Sequence, residues 1–266
     1  MMGIHVDSTL IDANDTKENG NIQKCDIVQV FVPSAKTSIS GIKNYNGKYV
    51  VHGSYTINLA RNWDEYSIWI HQFIKEIILA HQLKAIGIVI HMGKQLELTK
   101  EEAYNNMYTS LLYVNQQTIK YDSVKIFLET STGQGSEMCY KLEDFAHFFK
   151  KIIRLKNTQI SDRFKICLDT CHIFAAGYDL SKESSILLYL EALEELIGLR
   201  YVGLIHLNDS KNEVGSNIDR HENIGKGKIG KEGLLYIVHY FKKLNVPIIL
   251  ETPSDNIEND LKLILK

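Results

Sequence analysis

Eight short apolar segments, spread along the whole chain, constrain the fold more than any other feature of the sequence. Each is rich in Val, Ile or Leu and is bounded by turn or polar residues. Such continuous apolar runs are typical of parallel strands buried on both faces, whereas half-exposed antiparallel strands alternate in polarity. The eight predicted strands span residues 3–7, 27–32, 49–52, 86–91, 124–129, 164–169, 202–207 and 246–251.

The segments between most of these strands have the apolar period of a helix. Trp69, Phe73 and Ile77, for example, recur on one face of the helix predicted after the third strand. Repeated alternation of strand and helix predicts the α/β class and a single (β/α)8 TIM barrel. The chain has 266 residues, 3 prolines and no linker-like tract, so we expect one domain over residues 1–266. The polar stretches 8–24 and 33–47 lack a helical stripe and are predicted to be loops or short helices.

Histidine and carboxylate side chains follow the predicted strands at their carboxyl ends, the face on which TIM barrels place their chemistry. Several carboxylates gathered there without cations would repel one another, whereas divalent metals remove that repulsion and select this mixture of ligands. Nine ligands are too many for one tetrahedral zinc, and three ions would use them well if one carboxylate bridges. The nine side chains are His52, His91, Glu129, Asp169, His172, His206, Asp219, His221 and Glu251.

Local spacing adds detail to this metal site. Asp219 and His221 are two residues apart, so in an extended segment both point to one side and can bind one ion. Asp169 and His172 are expected to flank the turn from a strand into a loop, and to reach two different ions. The other five histidines are assigned to surface or packing: His5, His71, His81, His147 and His239.

Charge and composition limit the cellular setting. Lys+Arg number 30 against Asp+Glu 32, a formal charge of −2, so nucleic-acid binding would depend on local charge or bound metal. No run of about 18 apolar residues is present, and we expect no membrane span. The first residues lack the pattern of a signal peptide, and the 4 cysteines form no CxxC pair. We therefore expect an intracellular protein with reduced thiols.

Six segments in order along the chain resemble the endonuclease IV family, the zinc-dependent apurinic/apyrimidinic endonucleases of base-excision repair. The segment CLDTCHIFAAGYDL at 167–180 carries the closest resemblance. One such piece would be weak, but six in order with all nine ligands are a specific signal. The other five are HGSYTINLA (52–60), HMG (91–93), ETSTGQG (129–135), IHLNDSK (205–211) and DRHENIGKGKIG (219–230).

The resemblance implies three zinc ions per chain and a distribution of ligands among them. His52, His91 and Glu129 would hold the first ion. Asp169, His206 and Glu251 would hold the second, with Glu129 bridging to it. His172, Asp219 and His221 would hold the third. The implied catalytic residues are Glu129 and Glu251, and Glu251 either orients and deprotonates the attacking water or acts as a ligand alone.

The implied reaction is hydrolysis of the phosphodiester bond 5′ to an abasic site in double-stranded DNA. It would leave a 3′-hydroxyl and a 5′-deoxyribose-phosphate end, and the same site would also trim damaged 3′ ends. The implied location is the cytoplasm or the DNA, in a cell or encoded by a virus, and we expect a monomer.

The expected DNA contacts are Tyr55, Lys226 and Lys228. Tyr55 stands where the family has a tyrosine beside the abasic site, although an ordinary loop tyrosine fits equally well. GKGKIGK (225–231) supplies lysines and glycines for close approach to phosphates, or else it is a solvated loop. Gln134 and Asn208 are expected in the pocket for the abasic nucleotide. The loop 31–44 lacks the arginine usual in the family, so Lys36 or Lys43 would have to substitute.

Two other functions remain open from the sequence. Metal-dependent sugar isomerases of the xylose isomerase-like barrels share the barrel pattern, although they have no evident use for a third zinc. A non-catalytic protein that binds damaged DNA is the second alternative. Retention of all nine ligands argues against it, because clustered carboxylates are costly without ions.

Overall fold

The computed structural model describes residues 1–6, 19–33, 38–42, 44–155 and 158–265. Eight parallel strands form a closed barrel, which confirms the predicted TIM-barrel fold. Every strand end lies within two residues of its prediction. The barrel strands are β1 (Met2–Val6), β2 (Ile27–Phe31), β3 (Lys48–His52), β4 (Gly87–His91), β5 (Lys125–Glu129), β6 (Phe164–Asp169), β7 (Val202–His206) and β10 (Ile248–Leu250).

The strands pair in chain order around the barrel, and β10 pairs with both β7 and β1 to close it. A separate antiparallel hairpin of β8 (Asp209–Ser210) and β9 (His221–Glu222) follows β7. This hairpin brings the DRH segment back beside the carboxyl end of the barrel.

The helices pack outside the strands through the apolar stripes that the sequence predicts. In the third helix, Thr99 and Glu102 form a reciprocal capping box that fixes the first turn. The helices are α1 (Asn19–Ile22), α2 (Ile68–Gln82), α3 (Lys100–Gln117), α4 (Leu142–Ile153), α5 (Thr158–Arg163), α6 (Thr170–Ala175), α7 (Glu183–Leu196), α8 (Gly230–Lys243) and α9 (Ile257–Ile264).

The two early polar stretches agree with the expectation where they are described. A single helical turn, α1, lies in the first, and residues 38–42 and 44–47 of the second contain neither helix nor strand. Asp7, Lys36 and Lys43 lie outside the described residues. Among the helices that are described, none is both long and apolar enough to cross a membrane.

The barrel interior is filled by a compact layer of side chains that is separate from the larger core under the helices. Because side chains alternate along a strand, the next inward position on each strand is two residues further on. These later positions form a second layer of side chains, which lies above the interior layer at the carboxyl end of the barrel. The interior layer consists of Ile27, Val50, Val89, Phe127, Cys167, Leu204 and Ile249.

Candidate metal centre at the carboxyl end of the barrel

A polar layer caps the apolar interior of the barrel. Each residue of the interior layer is followed two positions later by a polar one, and on β1 Gly3 is followed in the same way by His5. Six of these eight residues are among the nine predicted ligands. The eight are His5, Gln29, His52, His91, Glu129, Asp169, His206 and Glu251.

The first group of potential ligands surrounds one oxygen of Glu129. Its Oε2 lies 3.6 Å from Nε2 of His52 and 3.3 Å from Nε2 of His91. His52 and Glu129 are buried, whereas His91 is partly exposed. The three ligand atoms are close enough together to hold one metal ion.

The second group surrounds the other oxygen of Glu129. Oε1 lies 2.8 Å from Nδ1 of His206, and the same nitrogen is 3.2 Å from Glu251 Oε2 and 3.8 Å from Asp169 Oδ2. The four residues offer ligand atoms within 4.8 Å of one another. Glu129 thus belongs to both groups, as a bridging carboxylate would.

The third group is joined by Asp219, whose two oxygens face different histidines. Oδ2 lies 3.2 Å from Nε2 of His172, and Oδ1 lies 3.2 Å from Nε2 of His221. Asp169 is close to this group as well, with Oδ2 3.7 Å from His221 Nε2. Asp219 is the most exposed member, so this side of the cluster faces the rim.

The predicted loop between Asp169 and His172 is instead the short helix α6. Asp169 is its N-cap, and Oδ1 accepts a hydrogen bond from the backbone N–H of His172 at 2.9 Å. An N-cap carboxylate satisfies one of the amides that the first turn leaves unpaired. One oxygen of Asp169 therefore fixes the start of the helix that carries His172.

In three of the histidines, a hydrogen bond at the opposite ring nitrogen determines which nitrogen faces the cluster. A backbone carbonyl can only accept, so Nδ1–H donates to Gly53 O from His52 (2.8 Å), to Thr130 O from His172 (2.7 Å) and to Glu251 O from His221 (3.3 Å). In the neutral form, each of these three rings has its Nε2 lone pair directed at the carboxylates. Metal-binding histidines are commonly oriented in this way.

The cluster passes a direct test of whether metal ions fit it. Six buried side-chain atoms of the described residues have no hydrogen-bond partner, and three of them lie in this cluster: Glu129 Oε2, His172 Nε2 and His221 Nε2. Buried polar atoms are normally hydrogen-bonded, and exceptions require an explanation. Tetrahedral zinc with bonds of about 2.0–2.1 Å would space its ligand atoms by roughly 3.3 Å, close to the contacts in all three groups. Metal binding therefore accounts for both the spacing and the unpaired atoms.

The pKa values show how strongly the cluster attracts positive charge. Burial disfavours protonation of His206, but the carboxylates of Glu251 and Glu129 outweigh it and raise the pKa to about 9. Burial also opposes protonation of His221, but the carboxylates of Asp169, Asp219 and Glu251 together outweigh it, and the pKa again rises to about 9. In the absence of metal, protons on these rings would balance the carboxylates.

Two buried amides hold the side chains of the second group, and one of them, Gln29, is not among the site residues predicted from the sequence. Gln29 lies on β2 and contacts both His206 and Glu251. Asn208, expected in a substrate pocket, is instead fully buried, and its Nδ2 donates to Asp169 at 2.7 Å and to Glu251 at 3.2 Å. Both amides therefore orient the side chains of the second group, as the hydrogen-bond partners of metal ligands commonly do.

Known proteins resemble this chain along most of its length. The family described as xylose isomerase-like TIM barrel matches residues 34–265. A protein of Mycoplasma mobile named "Probable endonuclease 4" is 40% identical over 220 residues, which cover 81% of this chain and 74% of that protein. The chain belongs to the endonuclease IV family.

Two further proteins resemble the chain. The "Apurinic-apyrimidinic endonuclease 1" of Schizosaccharomyces pombe is 38% identical over 237 residues, which cover 88% of this chain and 65% of that protein. The crystal structure of endonuclease IV from Thermus thermophilus superposes with a TM-score of 0.77 and 22% identity, over 99% of this chain and 97% of that one. This structural likeness supports the shared barrel fold.

A cleft of about 400 Å³ opens on the rim of this endonuclease IV family member, next to the third group of ligands. Tyr55 lines it, is 73% exposed, and lies with its ring 5.4 Å from that of His52 and 5.6 Å from that of His91. Gln134 also lines it, and its Oε1 accepts from the backbone N–H of Asp219 at 3.0 Å. The cleft therefore connects solvent to the cluster.

The glycine-rich segment does not offer its amides to a phosphate, contrary to the sequence interpretation. The buried carboxylate of Asp209 accepts from the backbone N–H groups of Gly225 and Gly227 through Oδ2, and from those of Ile229 and Gly230 through Oδ1, at 2.9–3.3 Å. A Cβ on Gly227 would lie 2.5 Å from Asp209 Oδ1, which explains the glycine. The amides are satisfied internally, and only the lysine side chains remain available.

The predicted DNA-contacting lysines differ in their surroundings. Lys226 and Lys228 are both exposed. Lys228 Nζ forms an ion pair with Glu213 Oε1 at 2.6 Å. A phosphate would have to compete with this surface carboxylate for Lys228.

Proposed function

We propose that this protein is a DNA-repair endonuclease that hydrolyses the phosphodiester bond 5′ to an abasic site in duplex DNA. The products would be a 3′-hydroxyl and a 5′-deoxyribose-phosphate end, and blocked 3′ ends would be trimmed at the same site. The observation that carries the proposal is the convergence of nine ligand side chains around Glu129 and Asp219. The name of the S. pombe relative, an apurinic-apyrimidinic endonuclease, supports the substrate.

The donor set fits three zinc ions, one in each group. His52, His91 and Glu129 would hold one, and His172, Asp219 and His221 another. The second group, with Asp169, His206 and Glu251, would share Glu129 with the first. Zinc in such a site lowers the pKa of water from 15.7 to about 7 and offsets negative charge on a reacting phosphate.

The protein's own groups then position the reactants and move the proton. Glu251 is held by amide donors on both oxygens, by Gln29 at 2.6 Å and by Asn208 at 3.2 Å. This fixes its carboxylate beside the cluster, where it either orients and deprotonates water or serves as a ligand alone. Glu129, buried between two groups, contributes negative charge to both.

Recognition of the abasic nucleotide would occur at the rim. A nucleotide without a base loses its stacking and is cheap to rotate out of the duplex. Tyr55, exposed beside His91 in the cleft, is placed to contact the gap that remains. Lys226 and Lys228 would contact phosphates, which position a nucleic acid without reading its sequence.

The experiment uses a duplex with one tetrahydrofuran abasic analogue, which blocks β-elimination. Zinc-replete wild-type protein should nick the strand 5′ to the analogue, and Glu251→Gln should abolish nicking. Glu258→Gln, which makes the same change on an exposed residue of α9, is the matched control and should nick normally. An intact duplex after incubation with zinc-replete wild-type protein would rule out the function.

The third group of ligands separates this proposal from the two alternatives. A sugar isomerase would have no evident use for the pair of histidines around Asp219. A non-catalytic DNA binder would retain buried, unpaired atoms at a cost and without benefit. Tight binding of the abasic duplex without nicking would favour that last alternative.

A further inference from the structure

Gln29 is the one residue of β2 that lies in the polar layer of the barrel. It is fully buried, and its amide lies between two proposed ligands of the same ion. Nε2 is 2.6 Å from Glu251 Oε1, and Oε1 is 2.8 Å from Nε2 of His206. No solvent reaches this amide, so its hydrogen bonds must be made inside the protein.

Chemistry allows only one orientation of the Gln29 amide. An ionised carboxylate only accepts hydrogen bonds, so the NH2 group must face Glu251. The second hydrogen of that group is within reach of His5 Nδ1, at 3.0 Å. The amide oxygen then faces His206, where it can accept a hydrogen bond but cannot donate one.

This orientation selects the nitrogen of His206 that is free to bind metal. In the neutral ring that binds metal, Nε2 must carry the hydrogen that points at Gln29, so the lone pair is on Nδ1. Nδ1 is the nitrogen that faces Glu129 at 2.8 Å. His206 thus differs from His52, His172 and His221, whose Nδ1 atoms bond to backbone carbonyls and whose Nε2 atoms face the cluster.

An amide is the side chain that can make both contacts. A carboxylate at position 29 would face Glu251 with a second negative charge, and an apolar side chain would leave His206 Nε2 and Glu251 Oε1 with one partner fewer. Neighbouring groups of β2 cannot take over these contacts. The side chains of Val28 and Val30 point to the outer core, and the backbone amides of the strand are paired within the sheet.

We propose that Gln29 is a positioning residue of the metal centre. It holds the hydrogen of His206 on Nε2, which leaves the Nδ1 lone pair free to bind metal, and it orients Glu251 toward the same ion. The inference rests on the proposed function insofar as His206 and Glu251 are taken to hold a cation. It adds a residue outside the nine ligands, and it assigns a different ring nitrogen to one histidine.

The test measures zinc affinity directly, without reference to nicking. Purified wild-type protein and Gln29→Met are stripped of metal and titrated with zinc against a chromophoric chelator. Methionine has nearly the same volume but neither hydrogen bond. We expect affinity at one site to fall by about 10- to 100-fold, as is usual when the partner of a metal ligand is lost. Cobalt-loaded Gln29→Met should also show altered visible absorption bands, because the ligand geometry changes.

Two further variants separate positioning from general stability. Asn115→Leu removes a buried amide at the other end of the barrel, where Asn115 Oδ1 accepts from Arg163, and should keep wild-type zinc affinity even if it unfolds more easily. Gln29→Asn keeps the amide but is one methylene shorter, so it cannot reach both partners. It should fold like the wild type and show a smaller loss of zinc affinity.

The possible outcomes are distinct. Gln29→Met with wild-type zinc affinity and an unchanged cobalt spectrum would overturn the role of Gln29 and leave the proposed function standing. A loss of affinity as large in Asn115→Leu would also overturn it, since general destabilisation would then be sufficient. Wild-type protein that takes up no zinc would overturn the proposed function itself.

Discussion

Oε1 of Glu129 lies 2.8 Å from Nδ1 of His206 at the mouth of the barrel. The other oxygen of Glu129 faces the first group of ligands, so a single carboxylate serves two groups. Glu129→Gln should therefore weaken zinc binding at two sites and reduce nicking by more than about 100-fold. This loss exceeds the one expected for a residue that only hydrogen-bonds to a metal ligand. Elemental analysis and the abasic-duplex assay measure the two effects.

The control for Glu129→Gln is Glu65→Gln, which removes the same charge from an exposed position on the loop before α2. It should retain both zinc and activity. Glu129→Gln protein with the full metal content of the wild type would show that this carboxylate does not bridge.

Affinity for DNA should depend on bound metal more than on the number of lysines. The formal charge of −2, counted with neutral histidines, already includes the four proposed ligand carboxylates, and three Zn²⁺ would bring it to +4. The added charge would be concentrated at the carboxyl end of the barrel, the proposed DNA-binding face, where it would raise local affinity most. Electrophoretic mobility shifts with metal-free and zinc-loaded protein test this, and equal affinities would contradict it.

Zinc and protons should compete for the cluster. His206 and His221 have pKa values raised to about 9 without metal, so both rings are protonated at pH 7. Zinc must displace these protons, and the apparent affinity should rise as the pH increases from 6 to 9, by up to about tenfold per pH unit for each proton released. Zinc titrations at several pH values, and proton release in weak buffer, measure the effect. A pH-independent affinity would contradict it.

Asp209→Asn should loosen the glycine-rich segment without removing metal. Replacing one carboxylate oxygen by an NH2 group leaves two backbone amides without an acceptor, which should reduce the free energy of unfolding by about 3 kcal/mol. DNA affinity should fall because the lysine-bearing segment loses its fixed shape, while zinc content stays at the wild-type level. Asp255→Asn, on an exposed residue, is the matched control. Urea unfolding and zinc analysis together test this.

Glu213→Gln should increase DNA affinity if Lys228 contacts a phosphate. The substitution removes the carboxylate that pairs with Lys228 at 2.6 Å and leaves the lysine free. Lys228→Ala should have the opposite effect and lower the slope of log affinity against log salt by about 0.9. Measurements of DNA affinity at several salt concentrations test both variants. A slope for Lys228→Ala equal to that of the wild type would place Lys228 outside the DNA interface.

The barrel and its strand ends were predictable because apolar continuity along a parallel strand is a strong local signal. The same period of two also identifies the polar layer, yet Gln29 was overlooked. Barrel strands are staggered, so a layer meets each strand at a different distance from its end. On β3 to β7 the layer coincides with the last residue, whereas His5 and Gln29 lie before the ends of β1 and β2. Inspection of strand ends alone therefore misses them.

Two other features depended on contacts that the local sequence does not report. The helix α6 has only six residues, too few for an apolar period, and its one signal is Asp169 at the N-cap. The amides of the glycine-rich segment bind Asp209, which lies 16 to 21 residues earlier in the chain. A motif of glycine and lysine is equally compatible with an internal and an external anion.

The internal anion at Asp209 has a consequence for the kinetics of DNA binding. A segment whose amides are already satisfied keeps its shape in the free protein, so the entropy of ordering it is lost during folding and not during association. Encounter with DNA then requires no rearrangement of this segment. We expect its contribution to the association rate to be limited by diffusion and electrostatic steering, so that sensitivity to the state of the nucleotide appears mainly in the lifetime of the complex.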